Sequence, residues 1–180
     1  MRITKDNTVG VVIDIQERLV PAMAEKETFV KNSKILIEGL QALNLPLLVT
    51  QQYSKGLGQT IPEVSEIINN FSPIEKSDFS CLDEAVFKER LEQSGAKNVV
   101  ICGIESHVCV LQTAVDLKEA GYNPIIVMDC TSSRDLKNVQ LATERFRHEN
   151  ILMISYESIL FELTRSAKAA EFKTISTLVK

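Results

Sequence analysis

The stretch Val99–Tyr122, VVICGIESHVCVLQTAVDLKEAGY, decides the fold. Its opening, Val99 to Cys102, is apolar without alternation, the pattern of a strand buried on both faces, and the strand is read from Asn98 to Cys102. From Val108 to Ala120 the apolar positions recur at helical spacing, and Gly121 follows as a helix-closing residue. A buried strand thus runs through a short polar turn into a helix, which is the opening half of a βαβ unit.

The same alternation extends in both directions. Downstream the chain predicts a strand at Pro124–Met128, a helix at Leu136–Glu149 and a strand at Ile151–Ile154. Upstream it predicts a strand at Val9–Ile13, a helix from about Glu27 to Leu43 and a strand at Pro46–Val49. Helices at Pro62–Asn69 and Asp83–Gln93 flank the short apolar segment Ser72–Ile74, and Gly95 lies just past the second helix. Two-sided apolar strands separated by crossover helices predict a three-layer α/β fold: a mostly parallel sheet of about six strands with helices on both faces. The 180 residues, 44% of them hydrophobic, suffice for a single domain spanning 1–180. Ser166–Lys180 reads as a polar-rich tail that lies on a neighbouring subunit or frays.

Composition removes several function classes. Net charge is −4 and basic residues do not cluster, which argues against a nucleic-acid partner. The first residues, MRITKDNTVGVVIDIQ, lack a signal-peptide core, and no apolar run approaches the ~18 residues of a membrane span, so a cytoplasmic protein without a membrane partner is expected. The first strand is followed by DIQERLVPAM instead of a glycine-rich phosphate turn, and no GxxxxGK[ST] loop exists; no nucleotide cofactor is expected. The two histidines, His107 and His148, form no zinc-ligand set, and His148 reads as a solvated helix residue; no metal is expected. Cys81, Cys102, Cys109 and Cys130 contain no CxxC pair and should be free thiols, with all but Cys109 read as packing residues.

In parallel sheets ligands gather beyond the carboxyl ends of the strands. The polar residues found there are Asp14, Gln51 and Gln52, Lys76, Glu105 to Cys109, and Asp129. Cys109 falls in the first turn of its helix, where the helix dipole favours thiolate. His107 is two residues away and cannot face it on a helix. Asp14 and Lys76 arrive from other strand ends and can supply a proton acceptor and a thiolate-favouring charge.

At these residues the sequence resembles the isochorismatase-like cysteine hydrolase superfamily. The matching pieces are VVIDIQ with Asp14 and Gln16, IEKSDFSCL with Lys76 and Phe79, and the stretch around Cys109, in the same order and separation. GIESHVCV and the loop YSKGLGQTIPEV resemble most the isochorismatase domain-containing subgroup. The resemblance implies a Rossmann-like sheet, an Asp14–Lys76–Cys109 catalytic triad, a thioester intermediate, and a cis peptide between Ile104 and Glu105 that aims backbone N–H groups at an oxyanion. It implies a pocket that contacts substrate through Gln16, Leu19, Gln52, Tyr53, Phe79 and Ser106. It also implies association into a homo-oligomer, for which Leu160, Phe161, Leu163 and Phe172 offer an apolar surface if they are not the domain's own core. Family nicotinamidases bind a metal after the second strand with aspartate and histidines, where this chain has Gln51-Gln52-Tyr53. The expectation is a metal-independent cysteine hydrolase of a small carbonyl compound, of amide, ester or carbamoyl type. The alternatives are a non-catalytic ligand-binding or scaffold protein, or a redox-sensing thiol protein.

Overall fold

The computed structural model describes residues 2–180. Six strands, β1 (Thr8–Ile13), β2 (Leu47–Gln52), β3 (Ile74–Lys76), β4 (Asn98–Ile104), β5 (Asn123–Ser132) and β6 (Leu152–Ile154), form one sheet in the order β3-β2-β1-β4-β5-β6. Every neighbouring pair is parallel. The chain begins at the centre of the sheet, builds one half outward, and returns to build the other. The order therefore reverses between β1 and β4, and a crevice opens beyond their carboxyl ends.

The connecting helices are α1 (Lys26–Ala42), α2 (Ser54–Leu57), α3 (Pro62–Ser65), α4 (Ala85–Gln93), α5 (Leu111–Glu119), α6 (Leu136–His148), α7 (Tyr156–Thr164) and α8 (Phe172–Leu178). They cover both faces because the strands are apolar on both. In β4, Val100, Cys102 and Ile104 join one apolar layer with Leu36, Ile37 and Leu40 of α1 and Ile159 and Leu160 of α7. Val99 and Ile101, pointing the other way at period two, join a second layer with Phe87 of α4, Leu117 of α5 and Phe146 of α6. Burying a side chain such as Phe87 or Phe146 contributes about 1.5–3 kcal/mol, so each layer is a substantial core. Gly103 is required where β4 meets β1: its φ is +126°, and a Cβ there would lie 2.1 Å from the Ile13 carbonyl oxygen.

The sequence patterns locate the elements and misplace some ends. β2 continues through Thr50-Gln51-Gln52 and β5 through Asp129 to Ser132, beyond the predicted ends at Val49 and Met128. Both extensions are polar yet largely buried, because their side chains find partners inside the rim and do not meet solvent. The helix predicted over Pro62–Asn69 stops at Ser65. The C-terminal tail corrects an expectation: part of it forms α8, whose buried Ile175 packs in the α1 layer, and Glu171 pairs with Lys5 at 2.8 Å. Leu160 and Leu163 are likewise core residues, and Phe161 and Phe172 face each other with ring centroids 6.3 Å apart. Leu160 and Leu163, with Phe161 packed against them, serve the domain's own core.

Candidate active site

Three strand ends converge on the face covered by α4 and α5. Asp14 follows β1 with a left-handed backbone, φ 52°, which turns the chain out of the sheet immediately after Ile13. Lys76 closes β3, and Cys109 lies in a single π-helical turn, Ser106–Val110, that carries β4 into α5. That turn differs from the regular α-helical start expected for Cys109. The Glu105 carbonyl accepts the N–H groups of Val108 at 3.0 Å and Val110 at 3.3 Å, on either side of Cys109. Single π turns inside helices are frequent at functional sites.

Asp14 and Lys76 form a fully buried ion pair, Nζ to Oδ2 2.7 Å, with no exposed side-chain surface. The ammonium is held further by Gln52 Oε1 at 2.6 Å and by the carbonyls of Asp78 at 3.2 Å and Phe79 at 3.3 Å. Asp14 Oδ1 accepts a 2.8 Å hydrogen bond from the Thr50 hydroxyl, while Oδ2 meets no donor in good line among the described residues. Cys109 is 7% exposed where Lys76 is 1% and Asp14 0%, so the sulfur's residue is the one that reaches the surface.

The charges around Cys109 oppose the expected thiolate. Burial, followed by the Asp14 carboxylate, pushes the thiol up to about 12, and the Lys76 ammonium only partly offsets them. The resting sulfur is therefore a thiol, with Asp14 close enough to share a hydrogen bond with it. Burial works against the charge on Lys76, but Asp14 and then Cys109 and Cys81 outweigh it and raise its pKa, so the amine remains an ammonium. Cys81, read from sequence as packing alone, borders this cluster: it is completely buried, its thiol points at Thr50 Oγ1 from 4.0 Å, and burial lifts it to about 12.

The other expected contacts divide into rim and scaffold. Tyr53 and Phe79 are 57% and 52% exposed and flank the lysine, since the Tyr53 N–H donates to the Lys76 carbonyl. Leu19 is half-buried on the loop after β1. Gln16 is fully buried, and its amide is committed to the backbone: Nε2 donates to the carbonyls of Gln52 at 3.0 Å and Gly58 at 2.8 Å, and Oε1 accepts the Gln52 N–H at 2.7 Å. It pins the Tyr53–Thr60 loop and has no exposed atom for a ligand. Gln52 holds Lys76, and Gln51 grips Thr60. Ser106 is buried with its hydroxyl donated to the Ser132 carbonyl at 3.0 Å. His107 Nδ1 sits 2.9 Å from the Ser133 hydroxyl. Asp129 is turned away from the cluster to accept the Tyr156 N–H at the start of α7. The Ile104–Glu105 peptide is cis, where the resemblance placed one, and the Glu105 carboxylate pairs with Arg134 at 3.2 Å. Thr50 went unread because one threonine in a strand carries no signal of its own. No group of three or more His, Cys, Asp or Glu side chains among the described residues is placed to hold a metal, and none of the described helices is long and apolar enough to cross a membrane.

This arrangement coincides with a sequence match to the isochorismatase domain over residues 8–158. The chain belongs to the isochorismatase family. Isochorismatase domain-containing protein 2 of Danio rerio is 33% identical over 99% of this chain and 89% of its own length. The secreted isochorismatase effector Isc1 of Phytophthora sojae is 34% identical over 99% of this chain and 87% of its own. Among solved structures, the MAR1 ribonuclease of Caenorhabditis elegans superimposes with a TM-score of 0.94 at 32% identity, covering 99% of this chain and 92% of that one. Membership supports a hydrolase built on the parallel α/β sheet.

Proposed function

We propose that this isochorismatase-family domain, spanning 1–180, is a metal-independent cysteine hydrolase of small amides, esters or carbamoyl compounds. The observation that carries the reading is the 2.7 Å buried Asp14–Lys76 pair beside Cys109, the most exposed residue of the three. A thiol lifted to about 12 is no thiolate at neutral pH, so attack and deprotonation occur together. As the Cys109 S–C bond to the substrate carbonyl forms, the S–H proton passes to Asp14. Asp14 returns it to the leaving group as that bond breaks, which leaves a thioester. Water then attacks the thioester, gives a proton to Asp14, and the sulfur recovers it as the acid departs. Lys76 lies 2.7 Å from the carboxylate and gives its hydrogen bonds to Gln52 and two carbonyls, so its part is electrostatic. The Cys109 N–H, bypassed by the Glu105 carbonyl in the π turn, and that of Glu105 would meet the oxyanion. Tyr53, Phe79 and Leu19 would line the entrance.

The test is a screen of amides, activated esters and N-carbamoyl compounds with intact-protein mass spectrometry to trap the acyl-enzyme. Hydrolysis accompanied by an acyl adduct on Cys109, both lost in Cys109→Ala, is expected; turnover that survives Cys109→Ala would refute the thiol mechanism. The C. elegans relative is a ribonuclease by name. Here a net charge of −4 and the absence of a basic cluster weigh against a phosphate backbone as ligand. An RNA oligonucleotide belongs in the same screen, and its cleavage by a folded, purified chain would replace the acyl reading. We place the protein in the cytoplasm as a homo-oligomer; light scattering reads the second point, a monomer at micromolar concentration being the contrary result.

A further inference from the structure

We infer that Thr50 is a positioning residue for this chemistry, selecting which oxygen of Asp14 exchanges a proton with Cys109. The inference rests on the reading of Asp14 as the proton carrier. Its basis is the order of the sheet. β2 lies between β1, which delivers Asp14, and β3, which delivers Lys76. Along β2, Leu48, Thr50 and Gln52 point to one face at period two, the face on which Cys109 and Cys81 also lie. Leu48 packs in the apolar layer. Thr50 and Gln52 stand where that layer would continue, and each takes one member of the ion pair: Thr50 Oγ1 donates to Asp14 Oδ1 at 2.8 Å, and Gln52 Oε1 accepts from Lys76 Nζ at 2.6 Å.

A hydroxyl has one hydrogen to give. Thr50 is fully buried, with no solvent to receive that hydrogen, and it is spent on Oδ1. Its oxygen lone pair faces the Cys81 thiol at 4.0 Å, so the donors run in one sense: Cys81 S–H toward Thr50, and Thr50 O–H toward Asp14. The Cys81 N–H in turn donates to Thr113 Oγ1 at 3.0 Å, one helical turn beyond Cys109, which fixes Cys81 beneath the same helix. Oδ1 is therefore occupied from below. Oδ2 faces the Lys76 ammonium at 2.7 Å without an in-line hydrogen bond, so the two oxygens sit in different surroundings and the Thr50 hydroxyl fixes which of them is presented to the thiol proton. Valine would fill the same volume and extend the apolar layer, but would leave Oδ1 without its donor and Lys76 as the carboxylate's remaining restraint.

The experiment compares Thr50→Val and Thr50→Ala, which lack the hydroxyl, with Thr50→Ser, which keeps it, using p-nitrophenyl acetate as the acylating probe. The hydroxyl-free variants should release p-nitrophenolate about 10- to 100-fold more slowly, the worth of one hydrogen bond to a charged group. The loss should fall on kcat with KM within about twofold, and Thr50→Ser should recover the wild-type rate to within about threefold. Circular dichroism establishes that each variant is folded; two hydroxyl-free side chains of different size guard against one that fails to pack. Release by Cys109→Ala at the wild-type rate would overturn the thiol mechanism and this inference together. Release abolished in Cys109→Ala but unchanged in Thr50→Val and Thr50→Ala, or equally slow in Thr50→Ser, would overturn this inference alone.

Discussion

Replacing Asp14 by asparagine separates two jobs that the proposed mechanism gives the carboxylate, because they respond with opposite signs. Asp14 raises the Cys109 pKa and Lys76 lowers it; Asp14→Asn removes the first influence and leaves the second. A unit charge about 4 Å away at an effective dielectric near 20 is worth roughly 4 kcal/mol, or about three pH units. The midpoint for alkylation of Cys109 by iodoacetamide should therefore fall from about 12 by one to three units, and the sulfur should become easier to alkylate near pH 8. Hydrolysis should nevertheless drop by about 10²- to 10⁴-fold, because the proton carrier is gone. Lys76→Met should move the alkylation midpoint upward. Stability provides a second axis. Asp14→Asn leaves a buried ammonium facing a neutral amide, at a cost of about 3–5 kcal/mol, whereas the double variant Asp14→Asn/Lys76→Met removes both charges and should regain most of that loss in urea unfolding. An alkylation midpoint that stays or rises in folded Asp14→Asn, or hydrolysis that survives it, would refute the reasoning.

Gly103→Ala should destabilise the protein by about 2–4 kcal/mol or prevent folding, since its Cβ would meet the backbone of β1 at a φ of +126°; thermal denaturation reads this, and an unchanged midpoint would contradict the close approach. Stability should decline between about pH 9 and pH 12. Cys81, Cys102 and Cys109 ionise near 12 when folded and near 9 when unfolded, so over that window the unfolded chain binds fewer protons and each thiol removes roughly 1 kcal/mol per pH unit. Cys102→Val, remote from the charged cluster, should flatten that slope in urea titrations. Gln52→Leu should leave Lys76 one acceptor short and slow acylation about tenfold with little effect on the rim, as measured by p-nitrophenyl acetate kcat against KM.

How much of this was legible in the sequence follows from which interactions are local. The central strands show because two-sided burial writes apolar runs such as Val9–Ile13 and Val99–Cys102 into the chain. Their ends do not: Thr50-Gln51-Gln52 and Cys130-Thr131-Ser132 look like loop by composition, and only partners from distant segments make them strand. The clustering of Asp14, Lys76 and Cys109 is legible because chemistry-bearing residues at strand ends are few and converge by topology. The upward shift of the Cys109 thiol is not legible in the sequence, because the helix start and the lysine are visible there, whereas its burial and the nearness of Asp14 are properties of the packed structure. The family resemblance supplied the order of the pieces. It did not distinguish Gln16 and Ser106, whose polar groups are consumed by backbone, from Tyr53 and Phe79, which stand open at the rim.

In the proposed mechanism, a protonated resting thiol gives the buried ion pair a reason to exist. Such a pair is a poor device for stability, because desolvating two charges costs about what their attraction returns. Here the lysine is compensated by Asp14, Gln52 and the carbonyls of Asp78 and Phe79, and the aspartate by Lys76 and Thr50, so the charges are tolerable without water. A pair built only to hold the strands together would be served as well by an apolar couple. A preformed thiolate next to Asp14 would place two negative charges against one positive in a dry site, and the rise of Cys109 to about 12 expresses that penalty. In that mechanism the charge balance closes when one proton is shared among sulfur, carboxylate and substrate, with Lys76 as the single positive charge. On this view the ion pair keeps Asp14 competent to take a proton at the moment a carbonyl arrives, and the nucleophile stays quiet until then.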